Sequence, residues 1–169
     1  MGFLDFLQFN NMTEENKSTL QRSIESHFPD RDEQTYINYA CIAGLMARVA
    51  FADMRVEDGE EDYMQEALFD WTDLSEDDSR SLTNLAVENV KKLVNLENHY
   101  YCSPLVEHFS EGERYNLIRV LFQLAASDGE VSNVESEEIR SITTYLRLTH
   151  KHYISARSEV SEHLSINKK

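Results

Sequence analysis

Two stretches of this chain, 75 residues apart, follow one plan: an apolar helical segment runs into an acidic turn and leaves it as a second amphipathic segment. The first is VAFADMRVEDGEEDYM from Val49 to Met64, and the second is LAASDGEVSNVESEEI from Leu124 to Ile139. In register, Ala50 pairs with Ala125, Asp53 with Asp128, Val56 with Val131 and Glu60 with Glu135. Apolar residues also match at Leu45/Val120, Met46/Leu121, Val49/Leu124, Met64/Ile139 and Ala67/Ile142. The identities are few, and it is the apolar register shared across both helices that marks a duplication. The chain is therefore expected to fold around two copies of a helical hairpin with acids at its corner.

Five glycines and two prolines leave little turn chemistry for the many tight corners of an all-β fold, while long stretches keep apolar spacings of three and four. The expected class is all-α: a compact bundle of about seven to eight helices built from two helical-hairpin repeats. At 169 residues, one such domain can bury a substantial core. Residues 1–30 are expected to form an N-terminal helical extension, and residues 31–165 an all-α domain with internal repeats near 37–72 and 112–147.

Along the chain, Phe3, Leu4, Phe6, Leu7 and Phe9 suggest a short first helix within residues 1–12. It carries no basic residue for anchoring on an anionic membrane surface, so packing onto the domain or a partner is expected. A second helix over about 13–27 stops before Pro29. Helices over about 32–52 and 58–72 make the first hairpin. Ser75 to Asp78 then reads as a capping box that opens a long amphipathic helix linking the repeats. A loop at 98–104, holding Cys102, and a short apolar piece with Leu105, Val106 and Phe109 come next. Ser110 to Glu113 is a second capping box, opening a helix apolar nearly all round and hence central. Helices over about 133–147 and 150–164 complete the bundle.

The formal charge is −15, and it is concentrated: Asp53 to Asp78 holds twelve acids against the single base Arg55, a net of −11. Such a surface repels nucleic-acid phosphate and anionic headgroups and attracts cations or basic protein patches, which excludes DNA or RNA binding as an expectation. Cys41 and Cys102 form no CxxC pair, as in a reduced, cytoplasmic setting. No apolar run approaches the roughly 20 residues of a membrane helix, and MGFLDFLQF lacks the basic start and long apolar region of a secretory leader.

At the second corner, Asp128 ends one helix, Gly129 can take the positive φ of a left-handed turn, and Ser132 caps the next helix. Reversal of the chain there brings Asp128, Glu130 and Glu135 toward one another, with Glu138 one helical turn beyond. Several carboxylates on one corner are what a hard cation such as Ca²⁺ or Mg²⁺ takes. The same residues also read as ordinary capping, since Ser132 and Glu135 make a capping box and the helix dipole favours acids in the first turn. At the first corner the corresponding acids are Asp53, Glu57, Glu60 and Glu61, a degenerate second site. Neither corner is an EF-hand. Counted from Asp128, the sixth and twelfth residues are Asn133 and Ile139; counted from Asp53, they are Asp58 and Met64.

These residues resemble the TerB-like tellurite-resistance family, helical proteins built as a duplicated unit with an A-x-x-D-G-E-[V/I] corner followed by acids. Ala125-Ala-Ser-Asp-Gly-Glu-Val131 matches that corner, and the resemblance extends to HFSEGER at His108 to Arg114, IRSITTYLRLTHKHYISAR at Ile139 to Arg157 and the MGFLDFL start. The first corner departs from it, with Met54 and Arg55 where Gly and Glu are expected, so that Arg55 supplies a cation internally. The resemblance implies a non-enzymatic, acidic, divalent-cation-binding module acting in stress-response assemblies, often near the inner membrane; with the charge and the cysteines, the expectation is a cytoplasmic protein, peripheral to that membrane, whose protein partners carry basic surfaces or are membrane-associated. Direct tellurite binding is not expected, because tellurite is an anion and the chain offers it no basic pocket. The competing readings are a metal-independent scaffold and a carboxylate-metal hydrolase. The sequence has no HExxH, no G-x-S-x-G and no phosphate loop, and its six histidines are scattered.

Overall fold

A computed structural model of the chain describes residues 18–92 and 98–167, with side chains to residue 164. The short first helix expected within residues 1–12 lies outside the described residues. Among the described residues there are eight helices and no strand. They are α1 (Thr19–His27), α2 (Glu33–Ala50), α3 (Asp58–Trp71), α4 (Glu76–Lys92), α5 (His99–His108), α6 (Glu111–Ala125), α7 (Asn133–Tyr145) and α8 (His150–Asn167).

The helices start where the capping chemistry says they should. Ser18, Asp32, Ser75, Ser110 and Ser132 each accept a backbone N–H from three residues on, satisfying one of the donors a helix N-terminus leaves without a partner. At α6 and α7 the box closes both ways, with Glu113 and Glu135 accepting from the backbone N–H of Ser110 and Ser132.

The two hairpins α2–α3 and α6–α7 pack on each other, with α2 against α6 and α7 and α3 against α6. Reciprocal side-chain bonds reveal the symmetry. Arg48 Nε donates to Glu138 Oε1 at 3.0 Å, and Tyr63 OH donates to Gln123 Oε1 at 2.7 Å. Gln123 is the repeat equivalent of Arg48, and Glu138 that of Tyr63. Each hairpin therefore reaches the other through the same two positions, the signature of a pseudo-two-fold pair.

The sequence singles out α6 as central, and its Leu117, Ile118, Leu121, Phe122 and Leu124 are fully buried. Helix α2 is central with it, being buried without a break from Tyr39 to Ala47. Small residues allow this: an added Cβ at Gly44 would lie 2.5 Å from Tyr101 Cε1, so the bare glycine is what lets α5 close onto α2. Helix α4 spans α2 and α3, helix α8 covers α6 and α7, and α1 adds Leu20 and Ile24 to the same core.

Two expectations are corrected. The helix expected over about 13–27 begins only at Thr19, because Ser18 in extended conformation is its cap. Residues 98–104 are not a loop: α5 begins at His99 and carries Pro104 inside it. Proline forfeits a backbone hydrogen bond, but the burial of Tyr101, Cys102 and Leu105 on one face holds the helix. Cys102 is accordingly a fully buried helical residue.

Candidate functional site

The two acidic corners are the same object, bond for bond. At the end of α2, Ala52 N–H donates to Val49 O at 3.1 Å and Met54 N–H to Phe51 O at 2.9 Å. At the end of α6, Ser127 N–H donates to Leu124 O at 3.0 Å and Gly129 N–H to Ala126 O at 2.9 Å. Asp53 Oδ1 then accepts Arg55 N–H at 3.0 Å, and Asp128 Oδ1 accepts Glu130 N–H at 3.1 Å. Both side chains thus fold back on their own turn, as aspartate does in an Asx turn. Finally, Glu60 Oε2 accepts Glu57 N–H at 2.8 Å, and Glu135 Oε2 accepts Ser132 N–H at 2.7 Å.

The left-handed residue of the turn is Gly129 in one copy, at φ 102°, and Met54 in the other, at φ 70°. A non-glycine residue there carries strain of about 1 kcal/mol. The first corner therefore holds its conformation against its own sequence.

The corners also lie against each other. An added Cβ at Gly59, in the first turn of α3, would sit 3.9 Å from the carbonyl oxygen of Ser127. Glu60 and Glu135 are both withdrawn from solvent, at 4% and 8% exposure, while Asp53 and Asp128 stand at the rim, exposed. Burial pushes the Glu60 carboxyl up to about 7, and the negative charges of Glu135, Asp53 and Asp128 push in the same direction against the opposing hydrogen bond from Glu57. Four acids from two repeats thus act on one locality, an arrangement that a corner-by-corner reading of the sequence does not disclose.

The other expected site residues divide around this group. Glu57 caps α3 and is exposed, Glu61 is half-buried in the first turn of the same helix, and Glu130 is exposed on the second corner. Glu138 is held by Arg48 in an ion pair, with the side chains 22% and 17% exposed. Arg48 was not singled out by the sequence, although its position as the equivalent of Gln123 was available from the repeat.

The donor chemistry fits a hard cation. All the ligand candidates are carboxylate oxygens, and among the described residues no ion pair reaches Asp53, Glu60, Asp128 or Glu135. Oε1 of Glu60 and of Glu135 takes no hydrogen bond from the described residues; only Oε2 is used in capping. Among those residues no three His, Cys, Asp or Glu side chains are drawn around one point.

Both thiols lie in the core, and burial raises them, Cys102 to about 12. His152 Nδ1 accepts Thr149 N–H at 3.1 Å and so caps the start of α8, while His150 is exposed beside it. No described helix is long and apolar enough to cross a membrane.

The model of the family described as Tellurite resistance protein TerB matches residues 38–158, well over half of the chain and both corners with it. No curated protein matches the chain, and no solved structure does.

Proposed function

The chain belongs to the TerB tellurite-resistance family, and from that premise we propose that it is a non-enzymatic interaction or sensing module of a tellurite-resistance or stress-response system. In this reading its two acidic corners make one shared seat for a divalent cation, Ca²⁺ or Mg²⁺. The observation that carries it is the pair Glu60 and Glu135. They occupy the same position of the two repeats, both are buried, and no ion pair from the described residues compensates either. Uncompensated buried carboxylates destabilise a fold until a cation binds, so binding and stability are coupled.

Glu60, Glu135, Asp53 and Asp128 are the residues that would hold the ion, with Glu130 and Glu61 at the edge. A bound cation would draw the two hairpins together, because each contributes half of the donors. The module works in the cytoplasm or peripheral to the inner membrane, through protein partners with basic surfaces, and does not take tellurite itself. A metal-independent scaffold is the second reading, favoured by one observation: Glu60 and Glu135 already serve as helix-capping acceptors without any ion.

Titration calorimetry with Ca²⁺ and Mg²⁺ after chelator treatment separates the two. The proposal expects one saturable site per chain, lost in Asp128→Asn/Glu135→Gln and equally in Asp53→Asn/Glu60→Gln, together with a rise in melting temperature on adding the ion. Two independent sites, each lost with its own corner, would refute the shared seat. The absence of both heat and thermal shift would leave the scaffold.

A further inference from the structure

Helix α3 has a second face that the acidic corners do not use. Asp62, Gln65, Glu66 and Phe69 recur at spacings of three and four and form one stripe, opposite the buried Met64, Ala67 and Leu68. With Glu76 and Arg80 of α4 they line an open groove of about 250 Å³. Phe69 is 45% exposed there, a large aromatic set into a concave surface rather than scattered on a convex one.

The three carboxylates in the lining of this groove, Asp62, Glu66 and Glu76, carry no paired cation among the described residues. Elsewhere Asp73 is paired with Arg31, Glu138 with Arg48 and Glu159 with Arg119. Arg80, the one base in the lining, is 59% exposed and reaches Gln65 Oε1 and Asp77 Oδ1 only at 3.5 Å each. Such long, exposed contacts contribute little and yield readily to a competitor.

We propose that the groove between α3 and α4 docks a basic amphipathic segment of a protein partner, which lays one large apolar side chain against Phe69 and Lys or Arg side chains against Asp62, Glu66 and Glu76. Charge selects this occupant. The surrounding stretch from Asp53 to Asp78 has a net charge of −11, which repels nucleic acid, anionic lipid and the same face of a second copy, and attracts a cationic chain. The aromatic ring adds what charge alone does not supply, a fixed apolar anchor and a face for a guanidinium or ammonium group. The inference rests on the reading of the chain as an interaction module, and is independent of the cation seat.

The test uses the full chain and a fluorescein-labelled leucine–lysine amphipathic peptide as probe, with the leucine–glutamate peptide of the same pattern as control, at physiological ionic strength. The lysine peptide is expected to bind and the glutamate peptide not to. Phe69→Ala and Glu66→Lys should each weaken binding by about tenfold or more, while Glu107→Lys, a charge reversal of the same size on α5, changes it by less than about twofold. Amide shifts on binding should cluster between residues 62 and 80. Absence of binding, equal binding by Phe69→Ala, or equal losses in Glu66→Lys and Glu107→Lys would overturn the proposal. So would self-association of the chain that Phe69→Ala abolishes, which would put a second copy in the groove. Asp128→Asn/Glu135→Gln should retain peptide binding, so a failed cation seat and a failed groove give different results.

Discussion

Replacing Glu60 by Gln should make the protein more stable at pH 8 and remove most of its pH dependence between 5.5 and 8. The Glu60 carboxyl is 4% exposed and is pushed from the ordinary 4.5 up to about 7. Because the folded-state value lies above the unfolded one, the native state holds a proton that the unfolded chain has released. The associated stability is fully present below about pH 4.5, declines as the pH rises, and is gone above about 7. With each unit worth about 1.36 kcal/mol, integration from pH 5.5 to 8 gives a loss of about 2 kcal/mol.

For a chain of this size that is a fall in Tm of roughly 4–8 °C. Gln keeps a carbonyl oxygen to accept Glu57 N–H, so the cap survives while the charge goes. The carboxyls of Asp32, Asp73, Glu113 and Glu159 are held below their ordinary range by hydrogen bonds, so what they contribute is lost only in more acid solution. The assay is thermal unfolding of wild type and Glu60→Gln in chelator at both pH values, then in excess Ca²⁺. Wild type should lose stability toward pH 8 in chelator and regain it with the cation, whereas the variant should respond weakly to either. A wild-type minus variant difference that stays constant from pH 5.5 to 8 would refute the reasoning.

Further outcomes follow from the backbone and packing. Gly44→Ala places a methyl group 2.5 Å from the ring of Tyr101, which is only 5% exposed and cannot swing out; set against the roughly 1 kcal/mol that Ala gains in a helix, a net loss of about 1–2 kcal/mol in urea unfolding is expected. Gly129→Ala has open space around its new Cβ, so its cost, about 1 kcal/mol, comes from φ alone, while Met54→Gly at the equivalent position should leave stability unchanged or raise it by up to about 1 kcal/mol. Ser132→Ala removes the hydroxyl acceptor at the start of α7 and should cost about 1 kcal/mol without altering the fold, as read by circular dichroism and unfolding midpoint.

What could be read from the sequence follows the range of the forces concerned. Capping boxes, helix stops and apolar stripes are set within three or four residues, and these placed the starts of six of the eight helices within one residue, while α1, expected from about residue 13, begins at Thr19 behind its Ser18 cap. The failure was α5, where Pro104 and a run of polar and aromatic residues suggest a loop. It is helical because Tyr101 meets the bare Gly44, a contact across 57 positions that no local pattern announces. The acids divide in the same way. That Glu135 belongs with Ser132 was legible from a spacing of three. That it lies near Glu60, or that Glu138 turns to Arg48, depends on how the hairpins cross.

The divergence between the corners also becomes intelligible once each bond is assigned to backbone or side chain. Met54 and Arg55 replace the expected Gly and Glu, a change that removes a carboxylate and adds a positive charge. Yet Asp53 bonds the backbone N–H of Arg55, which any residue other than proline supplies, and the turn survives the loss of glycine at a cost of about 1 kcal/mol. Asp53 and Glu60, whose side-chain atoms make the turn and the cap, are retained. If each corner held its own ion, the first would be crippled by Arg55 and free to lose its remaining acids. If the two share one seat, Asp53 and Glu60 serve the ion held with Asp128 and Glu135. The exposed Arg55 then contributes only a screened charge at the rim. Reverting Met54 and Arg55 to Gly and Glu should therefore strengthen binding at the one site without creating a second, and a calorimetric stoichiometry that rises from one to two would contradict the shared seat.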